Sequence, residues 1–241
     1  LFVPELPGAG GELELPDESA RHARVLRLES GARVGLFDGR SGEADAVLTT
    51  VSRDAIRCRV EPRRLLPAAA PALHIVLGLP KAKKLEDITR MLTELGVSSL
   101  HVALCERSVP LPSDSSARML RLERIALEAC AQSGQPRAPD LHPPRPLLEI
   151  ARAAPHDSRR LVLWERAITP LDAIDLAQQA GEAAPDLWAI IGPEGGLSET
   201  EVETLAALGF TVAGLGSAIL RVETATPVIS ALLLARLGRL R

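Results

Sequence analysis

The sequence predicts an α/β protein in two parts: a small β-rich domain, then a mostly parallel sheet with helices on both faces. Three observations predict it. From Leu73 onward, apolar runs of strand length alternate with amphipathic runs of helix length. Before Leu73, short alternating segments lie between turns, and one turn is Asp38-Gly39, a hairpin signal. Near the C-terminus, two glycine-bearing corners each lead from an apolar run into a helix.

In the first part, residues 33–37, 43–49 and 55–60 read as strands. Arg57 and Arg59 alternate with Ile56, Cys58 and Val60, which puts both arginines on one strand face. Arg21, Arg24 and Arg27 fall at helix-like spacing, with His22 beside them, and Arg63 and Arg64 come later. Each arginine taken singly reads as solvated surface. Residues 65–72 carry Pro67, Pro71 and a run of alanines, the composition of a linker. The expected domains are therefore residues 1–66 and 73–241. The first is about the smallest size that holds a core of its own.

In the second part, strand 73–79 precedes helix 85–95, and strand 100–104 precedes helix 117–133. Met119, Leu122, Ile125, Ala126 and Ala129 share one face of the latter, with Arg121, Arg124 and Glu128 elsewhere. Residues 135–146 are proline-rich and read as a stiff, exposed loop. Strand 161–164 then precedes helix 171–180, strand 187–191 precedes helix 199–208, and strand 211–215 precedes a last helix near 226–237. Pro227 is expected in the first turn of that helix, where proline is tolerated.

Composition narrows the function without naming it. Cys58, Cys105 and Cys130 are far apart, lack metal-ligand spacing, and read as small buried hydrophobes in a reducing compartment. The five histidines are scattered along the chain, so no metal site is expected. No secretory segment and no apolar run of membrane-spanning length is apparent, so the expected location is the cytoplasm, with no membrane partner. The first residue is Leu1 rather than methionine, so some starting residues are expected to precede it. Tyrosine is absent and aromatics are 2% of the chain, which argues against a base-stacking platform for single strands. A net charge of −3 argues weakly against nucleic-acid binding, but distribution matters more than the sum. The three lysines, Lys81, Lys83 and Lys84, all sit where strand 73–79 gives way to a helix, a placement that suits phosphate or substrate.

The most informative stretch runs from Ile191 to Glu201. It leaves an apolar strand, turns through Gly192-Pro193-Glu194-Gly195-Gly196, and enters a helix at Ser198-x-x-Glu201, a capping-box signature. Glycines there let a ligand approach the backbone, and the helix start presents unpaired N–H donors. Alone, such a loop is equally an ordinary tight turn. A second corner, Gly216 to Thr224, follows one strand later with Ile219, Leu220, Arg221 and Glu223. Two such corners could form one pocket with backbone donors, an apolar wall and few charges, suited to a flat heterocycle with a polar tail.

At these residues the chain resembles a known family. Gly192 to Gly196, then Leu215-Gly216-x-x-Ile219-Leu220-Arg221-x-Glu223-Thr224-Ala225, is similar to the C-terminal signature of the RsmE family, bacterial 16S ribosomal RNA uridine-N3 methyltransferases of the SPOUT superfamily. The resemblance extends to His22, Arg24 through Leu28, Gly31 and Asp38-Gly39, to Lys81 through Lys84, to Thr93 through Val97, to Glu106 through Val109, and to Glu128, Ala129, Gln132 and Ser133.

The resemblance implies a PUA-like β-barrel used for RNA, then a SPOUT domain whose C-terminal segment forms a deep trefoil knot. It implies S-adenosylmethionine as cofactor, held by Leu163, Ile191, Gly192, Gly195, Gly196, Leu215, Gly216, Ile219, Leu220 and Thr224. It implies 16S rRNA or the small ribosomal subunit as partner, contacted by His22, Arg24, Arg27, Lys81, Lys84 and Gln132. It also implies a homodimer, in which the apolar last helix reads equally as interface or as core. For catalysis, Arg221 and then Arg107 are candidates to stabilise negative charge developing on the uracil oxygens. Glu194, Glu223 or Glu94 could remove the N3 proton, though each also has a plain structural reading. The chain departs from the family pattern at Ala218, Val222, Gln135 and residues 89–92, on the substrate side more than the cofactor side. A SPOUT enzyme acting on another RNA or atom, or an RNA-binding assembly factor without chemistry, therefore stays open.

Overall fold

In the first unit, alternation of side chains builds the sheet. Strand β4 (Ile56–Val60) buries Ile56, Cys58 and Val60 and exposes Arg57 and Arg59, so both arginines do share the outer face. It pairs antiparallel with β1 (Glu12–Glu14) and β3 (Gly42–Val51), and Arg57 reaches Glu14 at 3.1 Å. Strand β2 (Arg33–Phe37) pairs with β3, and the short β5 (Arg64–Leu65) joins β3 near its start. The pairing order is β1-β4-β3-β2, with β1 and β2 at its ends among the described residues. Asp38 forms the expected turn: its carboxylate accepts from the backbone N–H groups of Arg40 and Gly42 at 2.7 and 2.8 Å. Helix α1 (Asp17–Val25) carries His22 and Arg24, but Arg27 lies past its end in the left-handed region, at φ 53°. Arg27 therefore does not continue the helical face that its spacing suggests.

The structure is a computed structural model and describes residues 1–40, 42–67, 69–108, 115–176, 185–216 and 219–240. Residues cluster into two units, Leu1–Ala68 with Ala126–Ala138, and Ala69–Ile125 with Pro139–Arg241. The division differs from the expected 1–66 and 73–241 in one respect. The C-terminal part of helix α3 (Ser115–Ser133) groups with the first unit, because Gly39 lies against Leu127 and Cys130, and Ala138 N–H donates to Gly39 O.

The second unit holds a parallel sheet. Its strands are β6 (Leu73–Gly78), β7 (Ser99–Leu104), β8 (Asp140–Pro146), β9 (Arg159–Leu163), β10 (Leu187–Ile191) and β11 (Thr211–Ala213). Their order is β11-β9-β10-β6-β7-β8, and every pairing is parallel. Central strand β10 is buried at every residue, as a sheet covered on both faces requires. One face carries Leu73, Ile75, Leu77, Ala189 and Ile191 against α2 (Ala82–Leu95) and α6 (Val222–Arg236). The other carries Val76, Ala103, Val162, Trp188 and Ile190 against α4 (Leu147–Ala153) and α5 (Glu199–Ala207).

Several expectations need correction. The proline-rich segment is not all loop: residues 140–146 form β8 at the sheet edge, where missing N–H donors can face away from the ladder. Helix α4, which follows directly, was not expected. The expected helix 171–180 is a single 3-10 turn at Leu171–Ala173, and residues 177–184 lie outside the described residues. Helix α6 starts earlier than expected, so Pro227 falls in its second turn. There Thr226 and Ser230 hydroxyls donate to Val222 O and Thr226 O, both at 2.8 Å.

Candidate functional site

A strand that ends in a parallel sheet leaves its loop at the carboxyl edge, where ligands collect. Strands β9, β10 and β11 all end there, and the segments after them converge on one cavity of about 470 Å³. Leu163, Trp164 and Glu165 come from the end of β9, and Ile191 through Leu197 form the first glycine corner. Leu215, Gly216 and Ile219 through Val222 form the second, Ala225 and Ile229 of α6 close the apolar side, and Lys84 of α2 supplies a cation.

Local chemistry sets the first corner. Ser198 caps α5: its side chain accepts from Glu201 N–H at 3.2 Å, while Ser198 N–H donates to the Glu201 carboxylate at 2.9 Å, the expected capping box. The other Glu201 oxygen accepts from Glu106 N–H at 2.8 Å, which ties the end of β7 to the same corner. Gly196 sits at φ 70°, and a Cβ there would come within 3.1 Å of a Glu165 carboxylate oxygen. At Gly78, a Cβ would come within 2.4 Å of Pro193 Cδ, so β6 supports the corner only because it ends in glycine. Gly195 is held from outside by Arg107, whose guanidinium donates to Gly195 O at 3.3 Å.

The charges are mostly paired. Lys84 Nζ lies 2.9 Å from Glu223 and 3.4 Å from Glu194. The hydrogen bond that Lys84 donates to Glu223 raises the Lys84 pKa, and the same bond lowers that of Glu223. Glu194 also accepts from Lys81 N–H at 3.3 Å, at the open end of α2. The Lys84 pair thereby keeps Glu223 ionised, which weakens it as a proton acceptor. The Arg221 guanidinium has no hydrogen-bond partner among the described residues.

Of the residues expected at a cofactor site, Leu163, Ile191, Gly192, Gly195, Gly196, Leu215, Gly216, Ile219 and Leu220 line this cavity. Thr224 does not; it is exposed in the first turn of α6, with its N–H on Arg221 O at 2.8 Å. Arg221 and Glu194 line the cavity, whereas Arg107 touches the corner from behind. Glu94 lies ten residues beyond Lys84 on α2, roughly 15 Å along the axis, and is no part of the lining. Lys84, expected on the RNA side, belongs to the cavity. His22, Arg24 and Arg27 are exposed in the first unit, where Arg24 already donates to Arg53 O at 3.0 Å, and Gln132 groups with them in the C-terminal part of α3. Lys81 is the exposed residue before α2. Among the departures, Val222 is buried against the cavity, and Ala218 lies outside the described residues, as does Val109.

Sequence reasoning missed Trp164, Glu165, Leu197, Ala225 and Ile229. The available signal was position, since Trp164 and Glu165 directly follow an apolar strand run. It also missed that three of the scattered histidines meet. Strand register brings His101 and His142 face to face, with ring centroids 3.9 Å apart, and His74 stacks on Trp188 at 4.6 Å. Ser99 Oγ links them, 2.7 Å from His74 and 3.0 Å from His101. This row lies near the amino ends of the strands. Among the described residues no group of three or more His, Cys, Asp or Glu could hold a metal ion. No described helix is long and apolar enough to cross a membrane.

Comparison with known proteins follows the same division. A family model described as an RNA methyltransferase domain matches residues 68–234, and one described as an RNA methyltransferase PUA domain matches residues 15–61. Ribosomal RNA small subunit methyltransferase E of Bacillus subtilis is 34% identical over 223 residues, 86% of this chain and 84% of that protein. Among solved structures, the ribosomal RNA small subunit methyltransferase E of Neisseria gonorrhoeae, bound to S-adenosyl methionine, superposes with a TM-score of 0.77 at 25% identity, covering 97% of this chain and 95% of that one. A putative methyltransferase of Legionella pneumophila in complex with the same cofactor gives 0.75 at 28% identity, covering 97% and 96%.

Proposed function

The chain belongs to the RsmE family of RNA methyltransferases, and we propose that it methylates N3 of a uridine in the 16S RNA of the small ribosomal subunit, with S-adenosylmethionine as donor. The cavity at the ends of β9, β10 and β11 carries this reading. Its volume suits a nucleoside-sized ligand. The residues fit the cofactor: Gly192, Gly195 and Gly196 bring backbone to the cavity lining, and Leu163, Ile191, Leu197 and Ile229 offer an apolar wall for a heterocycle. When bound, S-adenosylmethionine supplies a methyl group on a sulfonium centre.

The protein's own residues do the rest. Uracil N3 carries a proton and is a poor nucleophile until that proton leaves. Arg221, at the cavity and without a hydrogen-bond partner among the described residues, is placed to stabilise the charge that then spreads to the ring oxygens. Glu194 is the favoured proton acceptor in this reading, because Lys84 engages Glu223 more closely than Glu194. Arg107 holds Gly195 in place rather than touching substrate.

The PUA-like domain, with His22, Arg24 and Arg27, is assigned to RNA, as are Lys81 and Gln132. The reading includes a trefoil knot. In support, β11 pairs at the sheet edge with β9, whereas α6 packs on α2 and β6. It includes a homodimer, supported by Val228 and Leu232 exposed on α6, and a cytoplasmic setting, where ribosomes are modified.

The test is methyl transfer from labelled donor to small subunits lacking the modification, with nucleoside analysis by mass spectrometry. The expected product is 3-methyluridine. Label on a ribose 2′-oxygen, or no transfer by protein that binds donor and RNA, would overturn the assignment. Light scattering of the purified protein tests the dimer.

A further inference from the structure

The cavity is lined by a carboxylate, Glu165, that has no partner among the described residues. Glu165 stands two residues past the end of β9, lines the cavity, and is exposed. Its side chain has no hydrogen bond or ion pair among the described residues. Of the cations nearby, Arg221 makes no hydrogen bond among the described residues, and two are committed elsewhere. Lys84 is shared by Glu194 and Glu223, and Arg166, the next residue in the chain, turns to Glu199 at 2.6 Å. The Glu165 carboxylate nevertheless stays over the first glycine corner, with one oxygen 3.1 Å from where a Gly196 Cβ would stand.

An unpaired carboxylate at the mouth of a ligand cavity favours a cationic hydrogen-bond donor, because charge-assisted hydrogen bonds are the stronger kind. Taking as given that S-adenosylmethionine occupies this cavity, its groups can be sorted by chemistry. The heterocycle belongs against the apolar wall. The sulfonium has no N–H or O–H to donate, and the ribose hydroxyls are neutral. The α-ammonium of the amino-acid tail is both charged and a donor, and a zwitterionic tail is costly to bury, so it belongs at the exposed mouth where Glu165 stands.

We propose that Glu165 binds the α-ammonium of the donor's amino-acid tail and so sets where the tail lies at the mouth of the cavity. Glu165→Gln keeps the shape and removes the charge.

The experiment is calorimetry of wild type, Glu165→Gln and Glu165→Ala with two probes. One is S-adenosylhomocysteine; the other is its desamino analogue, in which hydrogen replaces the α-amino group. Wild type should bind S-adenosylhomocysteine about tenfold more tightly than Glu165→Gln does. The desamino analogue should bind the two proteins alike, or the variant slightly better, because the tail carboxylate no longer faces Glu165. Equal weakening of both probes would place Glu165 on the ribose and overturn the proposal, and so would no change with either probe. Wild type that binds neither probe would overturn the cofactor reading itself, a different failure. Melting temperatures of the variants should match wild type, since Glu165 makes no contact on which the fold depends.

Discussion

Lys84 Nζ lies 2.9 Å from Glu223 Oε2, and this pair joins the first turn of α2 to the first turn of α6. The same ammonium reaches Glu194 in the glycine corner. One lysine therefore positions two walls of the cavity. Lys84→Met should leave three like charges, Glu165, Glu194 and Glu223, at one site. The expected result is several-fold weaker binding of S-adenosylmethionine with a nearly unchanged melting temperature, since both partners are partly exposed and such pairs add little to stability. Lys84→Arg should recover part of the affinity. Calorimetry beside a melting curve checks both, and a large loss of stability with normal affinity would contradict the positioning role.

Gly78 and Gly196 should respond differently to substitution. A Cβ at Gly78 would overlap Pro193, which is buried and backbone-anchored. Gly78→Ala should cost about 1–3 kcal/mol of stability and should also weaken cofactor binding by displacing the corner. At Gly196 the obstacle is the movable Glu165 side chain, but the residue sits at φ 70°. Gly196→Trp should block the cavity and abolish cofactor binding while the protein stays folded. Unchanged affinity in Gly196→Trp would remove this cavity as the cofactor site.

Arg221 should separate binding from chemistry. If it stabilises charge only as the uracil proton leaves, Arg221→Ala should lower kcat about a hundredfold, with little change in the affinity for S-adenosylmethionine. Steady-state kinetics on small subunits, with donor affinity measured separately, checks this. An effect confined to donor affinity would make Arg221 a cofactor ligand instead.

The histidine row predicts a pH dependence. Burial lowers the pKa of His101 to about 3, helped by repulsion from His142, His74 and Arg145. Burial also lowers His74 and His142 below 6.5, against the opposing pull of Asp186 and Asp140. The unfolded chain takes up these protons near pH 6.5, whereas the folded chain refuses them until lower pH. Stability from this row is therefore complete above about pH 6.5 and declines as pH falls from there towards 3. Carboxylates also weaken the fold in acid, so a comparison is needed. In urea titrations at several pH values, His101→Phe should show a shallower decline over this window, and an equal slope would rule the row out as a source.

Legibility followed the range of the interactions. Strands β2, β6 and β10 were readable from apolar spacing, and the α5 capping box from Ser198 and Glu201, because each depends on neighbours within one element. The Asp38 turn was readable for the same reason. Strand β8 was hidden because its prolines signal loop, and only its place at the sheet edge beside β7 makes them harmless. The extent of α6 was hidden because Pro227 suggested a start, while Thr226 and Ser230 hydroxyls support the helix around it.

The two-part α/β plan, both glycine corners and most of the cavity residues follow from the order of amino acids, because these rest on local pattern and backbone freedom. What each charge does depends on how distant elements pack. Lys84 became a strut between Glu194 and Glu223, Arg107 a support for Gly195, and Glu165 a carboxylate without a partner among the described residues. Packing also brought His74, His101 and His142 together through strand register. The reason is physical: a side chain's partner is set by packing between elements distant in sequence, and no spacing along one chain records which of them will meet.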